Sequence, residues 1–218
     1  GQYPATTLAG YVVYQEGMYL GYRYTETRYE DLVLGTANVG DYDYASVVAR
    51  PFGYGLSYAE FALSDMSVQK NGDREYNVTV TVTNTSDTYS GKCSVPVYIS
   101  KPYGEYAKTN SIQVPSVELV DFGKTRILAP GESETLTIPV DEKYFASYDS
   151  YGAKGYVLMD GDYYLAVGGD AHEAVNNVLA AKKANGVAVD ESKMVGGTGD
   201  ASLVQKFTLS FNKDKYAF

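Results

Sequence analysis

The clearest pattern in the chain is a period of two between positions 61 and 170. In YNVTVTVTNT (76–85), a tyrosine and three valines alternate with asparagine and threonines. Successive side chains of a strand point to opposite faces of its sheet, so this segment predicts a strand with one buried face. Similar runs occupy 61–70, 93–100, 117–130, 133–140 and the residues after Asp160-Gly161-Asp162.

About seven such runs are separated by turn signals such as Asn71-Gly72-Asp73 and Pro130-Gly131-Glu132. This spacing predicts an all-β domain, an antiparallel sandwich of two sheets over 61–170. Pro96 lies inside one of the runs, CSVPVYIS. Because proline removes a backbone donor, we expect a bulge or a sheet edge near it.

The flanking segments predict different structures. HEAVNNVLAAKK (172–183) has helical spacing and ends in two lysines, so residues 171–218 predict a short helix, a loop and one more strand at 203–212. Residues 1–60 contain no long periodic element. They do contain eleven tyrosines. We expect an extended arm whose aromatic side chains need a partner surface.

Composition narrows the possible partners. The net charge of −9 and pI near 4.6 argue against nucleic acid, whose phosphates need a basic surface. No apolar run is long enough to span a bilayer, so we expect a soluble protein without a membrane partner. The chain has 23 tyrosines and no tryptophan. Tyrosine suits half-buried sheet surfaces and sugar-facing surfaces alike, and the structural interpretation is favoured.

Single residues offer little catalytic chemistry. Cys93, the only cysteine, lies in an alternating run and is expected to be a small buried apolar residue. His172, the only histidine, would have to serve any Ser-His-Asp or Cys-His site, but a polar residue near a helix start is the expected interpretation. The Asp41/Asp43 and Asp160/Asp162 pairs are interpreted as turn residues, so no metal or cofactor is expected.

Five phrases, in order, resemble glycoside hydrolase family 3. EGMYLGYRY (16–24) and PFGYGLSYAEF (51–61) resemble the junction between the α/β-sandwich domain and the fibronectin type III-like domain of that family. VTNTSDTYSGKCSVPVYIS, ELVDFGKTRILAPGESETLTI and GDYYLAVGGDA resemble segments of the fibronectin type III-like domain itself. The resemblance covers about residues 10–180. It departs from the family pattern at Asp121-Phe122-Gly123 and in the longer segment 25–49.

The resemblance implies a fibronectin type III/immunoglobulin-like sandwich over 61–170, an arm over 1–60 from the end of the α/β-sandwich domain, and a C-terminal extension over 171–218. Family members hydrolyse β-glycosides with retention, using two carboxyl groups. The family's nucleophile belongs to a Ser-Asp-Trp phrase, and this chain has no tryptophan. In the family, the acid/base glutamate lies upstream of the phrase that GYRY resembles, in a domain that we do not expect within these 218 residues. The chain by itself is therefore expected to be inactive.

The expected role is that of an accessory region. Its partners would be the catalytic barrel and the α/β-sandwich domain of one parent protein, and a β-linked glycan would be the parent's substrate. The resemblance places seven residues at a domain interface or, with lower weight, at the edge of the sugar pocket: Glu16, Arg23, Tyr24, Phe52, Tyr54, Tyr58 and Phe61.

The alternative is a self-standing carbohydrate-binding or adhesion module, which would display aromatic rings on one exposed face or set of loops. An independent enzyme built on His172 is the least favoured hypothesis. A bacterial cytoplasmic and a secreted location both remain open.

Overall fold

The structure of the protein is a computed structural model, and the residues it describes are 17–212. The helices are α1 (Tyr22–Leu34), α2 (Tyr44–Val47), α3 (Glu105–Thr109) and α4 (Ala171–Ala184). The strands are β1 (Phe61–Asn71), β2 (Glu75–Asn84), β3 (Ser94–Ser100), β4 (Glu118–Lys124), β5 (Ser133–Asp141), β6 (Ser147–Asp149), β7 (Gly155–Val157), β8 (Gly161–Val167) and β9 (Val204–Leu209). Short 3-10 turns occupy Glu142–Phe145, Glu191–Lys193 and Ala201–Leu203.

Seven strands form two antiparallel sheets, which confirms the predicted all-β sandwich. The first sheet has the order β1-β2-β5 and the second β4-β3-β8-β9, while β6 and β7 form a separate hairpin. The inner faces of the two sheets enclose the main core. On β2 this face consists of the four residues that the alternation placed there: Tyr76, Val78, Val80 and Val82.

The register of β2 fixes the two ends of the sandwich. Phe61 pairs with Asn84 at one end of β2, and Glu75 pairs with Asp141 at the other. A ten-residue strand rises about 3.3 Å per residue, so these ends lie about 30 Å apart. The chain enters the sandwich from residues 51–60 at the first end, and it leaves β5 for the β6–β7 hairpin at the second.

Pro96 lies where its missing N–H costs least. Strand β3 pairs with β8 only from Val97 onward, and its register with β4 shifts between Val97 and Tyr98. Pro96 therefore faces a strand on one side only, next to a bulge, which confirms the prediction from the sequence.

The last strand of the second sheet comes from the predicted C-terminal extension. β9 pairs with β8 from Gly161↔Leu209 to Ala166↔Val204. Its Phe207 stacks on Tyr76 and Tyr163 of the main core. The sandwich therefore continues beyond residue 170, across an insertion that contains α4.

A layer of helices covers the outer face of the second sheet. Tyr98 of β3 and Tyr164 of β8 pack there against α1 and α4. The expected extended arm is wrong for residues 22–34, which form α1. This helix buries Glu26, Tyr29 and Val33, and it ends at Gly35, whose φ of 64° allows the left-handed cap. Strand β8 is thus covered on both faces, and Tyr163–Val167 are all buried.

None of the described helices is both long and apolar enough to cross a membrane.

Candidate domain interface

The segment PFGYGLSY (51–58) is fixed at its start to helix α4. The Ala171 N–H donates to the Phe52 carbonyl at 2.8 Å. Gly53 has a φ of +95°, and a Cβ added there would lie 3.2 Å from the Asp170 Cα. A side chain at this position would be strained by the backbone conformation and crowded by α4, which explains this glycine.

Aromatic stacking continues the attachment. The Phe52 ring lies 4.6 Å from that of Tyr22, at an interplanar angle of 17°. The Tyr22 hydroxyl in turn accepts from the Leu119 N–H at 2.9 Å. Farther along, the Arg50 guanidinium lies 4.7 Å from the centre of the Tyr54 ring. These contacts hold one side of Phe52 and Tyr54 and leave the other side exposed.

The rest of the segment projects apolar groups into solvent. Leu56 is 89% exposed and Tyr58 is 86% exposed, with the Tyr58 ring 5.5 Å from Tyr89. We call Phe52, Tyr54, Leu56 and Tyr58 the junction surface. Other exposed apolar side chains in the described part of the arm are Met18, Leu20, Tyr24 and Val47. An exposed apolar set of this kind is typical of a surface that packs against a partner.

The structure describes three of the four remaining predicted interface residues, Arg23, Tyr24 and Phe61. Tyr24 is exposed on α1, where its hydroxyl accepts from Arg28 at 3.3 Å. Phe61, the first residue of β1, packs against the main core of the sandwich. Glu16 falls outside the described residues.

Arg23 joins a charge cluster at the side of α1. The Glu118 carboxylate pairs with Lys101 at 2.6 Å and with Arg23 at 3.5 Å. Burial lowers the pKa of Lys101, and the attraction of Glu118 opposes this shift. The Nε of Arg23 is buried without a hydrogen-bond partner within residues 17–212. Lys101 makes the short contact to Glu118, so the Arg23 guanidinium is the less committed of the two cations.

The centre of the helical layer is a polar cluster that the sequence analysis missed. Glu26 of α1 is completely buried and accepts from the Tyr44 hydroxyl of α2. Its other oxygen lies 2.9 Å from Nδ1 of His172 on α4. The Tyr44 ring stacks on the His172 ring with centroids 4.0 Å apart. One carboxylate therefore ties all three helices together.

The second half of the cluster reaches the loop after α4. The Tyr29 hydroxyl donates to the Asn176 amide oxygen at 2.7 Å and accepts from the Val195 N–H at 2.9 Å. His172 Nε2 lies 2.9 Å from the Val195 carbonyl. A carbonyl only accepts, so Nε2 carries a hydrogen, and a second hydrogen lies between Nδ1 and Glu26. Both ring nitrogens are thus used in structural hydrogen bonds.

One member of each acidic pair noted in the sequence has a structural partner. Asp43 accepts from the Ala45 N–H at the start of α2, and Asp162 pairs with Lys206 at 2.8 Å. Among residues 17–212, no three His, Cys, Asp or Glu side chains are grouped so as to hold a metal ion. Cys93 is half-buried against the core, and burial raises the pKa of its thiol.

The fold and this surface define a class: a fibronectin type III-like sandwich with a docked helical layer and an exposed aromatic junction. The family described as "Fibronectin type III-like domain" matches residues 94–171. The chain is 35% identical over 177 residues to an exo-α-(1→6)-L-arabinopyranosidase of Bifidobacterium breve, covering 81% of this chain and 20% of that protein. It is 32% identical to a β-glucosidase of Ruminococcus albus, covering 84% of this chain and 16% of that protein.

Solved structures agree with these matches. β-Glucosidase 3B of Thermotoga neapolitana superposes with a TM-score of 0.58 at 29% identity, over 90% of this chain and 20% of that one. The β-glucosidase of Kluyveromyces marxianus gives 0.60 at 26% identity, over 91% and 18%. The chain therefore carries a fibronectin type III-like domain, and its homologues include glycoside hydrolase family 3 β-glucosidases and an arabinopyranosidase. It spans about a fifth or less of the length of these relatives.

Substituting Glu26 tests whether the buried carboxylate holds the helical layer. We expect Glu26→Ala to lower the free energy of unfolding by about 3–5 kcal/mol, because it leaves His172 and Tyr44 without a buried partner. Glu26→Gln should cost less, since an amide can accept from Tyr44 and donate to Nδ1. Urea unfolding at pH 7 measures both, with Glu105→Ala, at an exposed position, as control. Equal losses for Glu26→Ala and the control would contradict the assigned role.

Buried tyrosines should make the fold sensitive to alkaline pH. Burial raises the pKa of Tyr29 to about 12, and the Val195 N–H opposes this shift. Burial and the neighbouring Glu26 also raise the pKa of Tyr44. The unfolded chain loses these protons near pH 10 and the folded chain does not, so the stabilisation is complete below pH 10 and is lost as pH rises towards 12.

For Tyr29 the loss amounts to roughly 2–3 kcal/mol. Urea unfolding at pH 8, 10 and 11.5 should show a falling free energy of unfolding, with a smaller fall in Tyr29→Phe. An identical fall in the wild type and in Tyr29→Phe would show that this hydroxyl does not contribute.

The junction surface should bind a dye specific for exposed apolar surface. We expect Leu56→Ser with Tyr58→Ser to reduce 8-anilinonaphthalene-1-sulfonate fluorescence at least twofold with little change in stability, since both side chains are exposed in the native state. The control is Phe122→Ser, at an exposed ring on β4 outside the junction surface. A greater reduction of fluorescence in the control would show that the dye binds mainly outside the junction surface and would contradict the prediction.

Proposed function

We propose that this chain is the non-catalytic fibronectin type III-like accessory region of a β-glucosidase-type glycoside hydrolase, where it stabilises and orients the catalytic domains of the same protein. The observation that carries the proposal is the junction surface. It is fixed on one side to α4 and exposed on the other, at the point where family members join two domains. A partner domain of the parent would cover Leu56 and Tyr58.

The candidate catalytic groups support a non-catalytic role. Ser64-Asp65-Met66 and Ser86-Asp87-Thr88 approximate the family's nucleophile phrase, but they lie in β1 and in the loop after β2. His172 is buried, with both ring nitrogens engaged. The two carboxyl groups of a retaining glycosidase would be supplied by the barrel and the α/β-sandwich domain.

Arg23 is the charged residue best suited to the contact between domains. The Arg23 side chain is partly exposed, and its guanidinium lies 3.5 Å from the Glu118 carboxylate, a longer contact than that of Lys101. A carboxylate of the α/β-sandwich domain would pair with it bidentately. The same group would lie at the edge of the sugar pocket if that pocket opens beside α1. The contact between domains is favoured, because the exposed apolar side chains surround this end of the arm.

A self-standing carbohydrate-binding module is the second candidate. One observation favours it: a group of exposed tyrosines on the β6–β7 hairpin, at the end of the sandwich away from the junction. The two candidates differ in the size of the native protein. An accessory region belongs to a polypeptide several times longer than this chain, and a self-standing module does not.

An antibody raised against this chain separates the two. In the source cells we expect it to detect a polypeptide several times larger than 23.7 kDa. The protein that the antibody precipitates from these cells should hydrolyse p-nitrophenyl β-D-glucoside or p-nitrophenyl α-L-arabinopyranoside. The purified 218-residue chain should hydrolyse neither. A band at 23.7 kDa without associated activity would contradict the proposal.

A further inference from the structure

The β6–β7 hairpin and the turn before it present only tyrosines as large exposed apolar groups. Tyr151, at the tip, is 74% exposed, and Tyr148 on β6 is 53% exposed. Tyr144 and Tyr156 are also exposed. Tyr148 and Tyr156 are directly opposite each other in the hairpin, with ring centroids 5.2 Å apart. We call these four residues the hairpin tyrosines.

Hydrogen bonds to a buried carboxylate hold the turn between β6 and β7 in place. Asp149 is completely buried and accepts from the N–H groups of Tyr151, Gly152 and Ala153 and from the Tyr106 hydroxyl at 2.6 Å. Burial opposes its ionisation, but these hydrogen bonds prevail and lower the pKa of Asp149. The turn is therefore held by a buried carboxylate. A ligand that binds to the rings would not have to order this loop.

The chemistry of this surface differs from that of the junction surface. The described arm exposes leucine, methionine, valine and phenylalanine together with tyrosine, which suits a protein partner. Residues 142–157 expose tyrosine alone among large apolar types. The two acidic side chains of this segment, Glu142 and Asp149, are buried, so the exposed charges are those of Lys154 and of Lys143, which pairs with Asp141 at 3.4 Å. Rings with polar tips, beside few exposed charges, suit an uncharged ligand with apolar C–H faces and many hydroxyls.

We propose that the hairpin tyrosines bind a neutral β-linked glycan through ring stacking and hydroxyl contacts. The choice of a β-linked glycan rests on the proposed function of the parent protein. The hairpin follows β5 at the Glu75–Asp141 end of β2, about 30 Å from the Phe61–Asn84 end where the junction enters. A glycan and a partner domain would therefore occupy opposite ends of the sandwich at the same time, so a polymeric substrate could be held beside the catalytic domains.

Electrophoresis of the 218-residue chain in native gels containing barley β-glucan tests the proposal. We expect the wild type to be retarded, and Tyr148→Ala with Tyr156→Ala to lose at least tenfold in apparent affinity. Leu56→Ala with Tyr58→Ala, two exposed residues at the junction surface, is the control and should be retarded like the wild type. Tyr148→Phe with Tyr156→Phe should keep most of the binding, because the rings remain.

Tyr151→Ala provides a second variant outside the two strands, should the double variant fail to fold by circular dichroism. Three results would overturn the proposal: an unretarded wild type, retardation unchanged in both alanine variants of the hairpin, or equal retardation in gels containing glycogen, an α-linked glucan. None of these depends on the mass or activity of the parent protein. The binding assay and the antibody experiment therefore fail independently.

Discussion

The buried carboxylate of Glu26 is the constraint on which the helical layer depends. A charge-bearing group with no exposure is tolerated only when its oxygens are hydrogen-bonded, and here α2 and α4 each supply one partner. Fixing α1 in this way covers Tyr98 and Tyr164 on the outer face of the second sheet. It also places Tyr22 where it stacks on Phe52 and thereby positions the junction surface.

The same constraint explains which parts of the fold the sequence could predict. The period of two, clearest in the valines of β2, predicts the strands of the sandwich and the bulge beside Pro96, although the run 117–130 is a strand only over Glu118–Lys124. The sequence pattern did not predict helix α1, because the buried face of this helix consists of Glu26, Tyr29 and Val33. A pattern search counts a glutamate as solvent-facing, and only the tertiary partners on α4 make its burial possible.

The predicted interface residues divide for a similar reason. Short motifs predicted a junction at Phe52, Tyr54 and Tyr58; in the structure Phe52 and Tyr54 make ring contacts on one side, and Tyr58 is exposed. The pairing of His172 with Glu26 joins residues 146 positions apart, and no local pattern records such a contact. One signal was available: the run YYLAV in β8 has no polar alternation, which indicates a strand covered on both faces and hence a second layer.

The arrangement of the two exposed surfaces would give the sandwich a role that neither surface has alone. The junction surface mixes aliphatic and aromatic groups, so its burial against a protein domain would contribute to stability in proportion to the apolar area removed from water. The hairpin tyrosines sit on a turn that a buried carboxylate already orders, and they are separated from the junction by the full length of β2. A rigid sandwich between the two surfaces would fix the distance between a glycan bound to the hairpin tyrosines and a partner domain packed on the junction surface. That distance is set by hydrogen-bonded strands, so it would not change when either end is occupied.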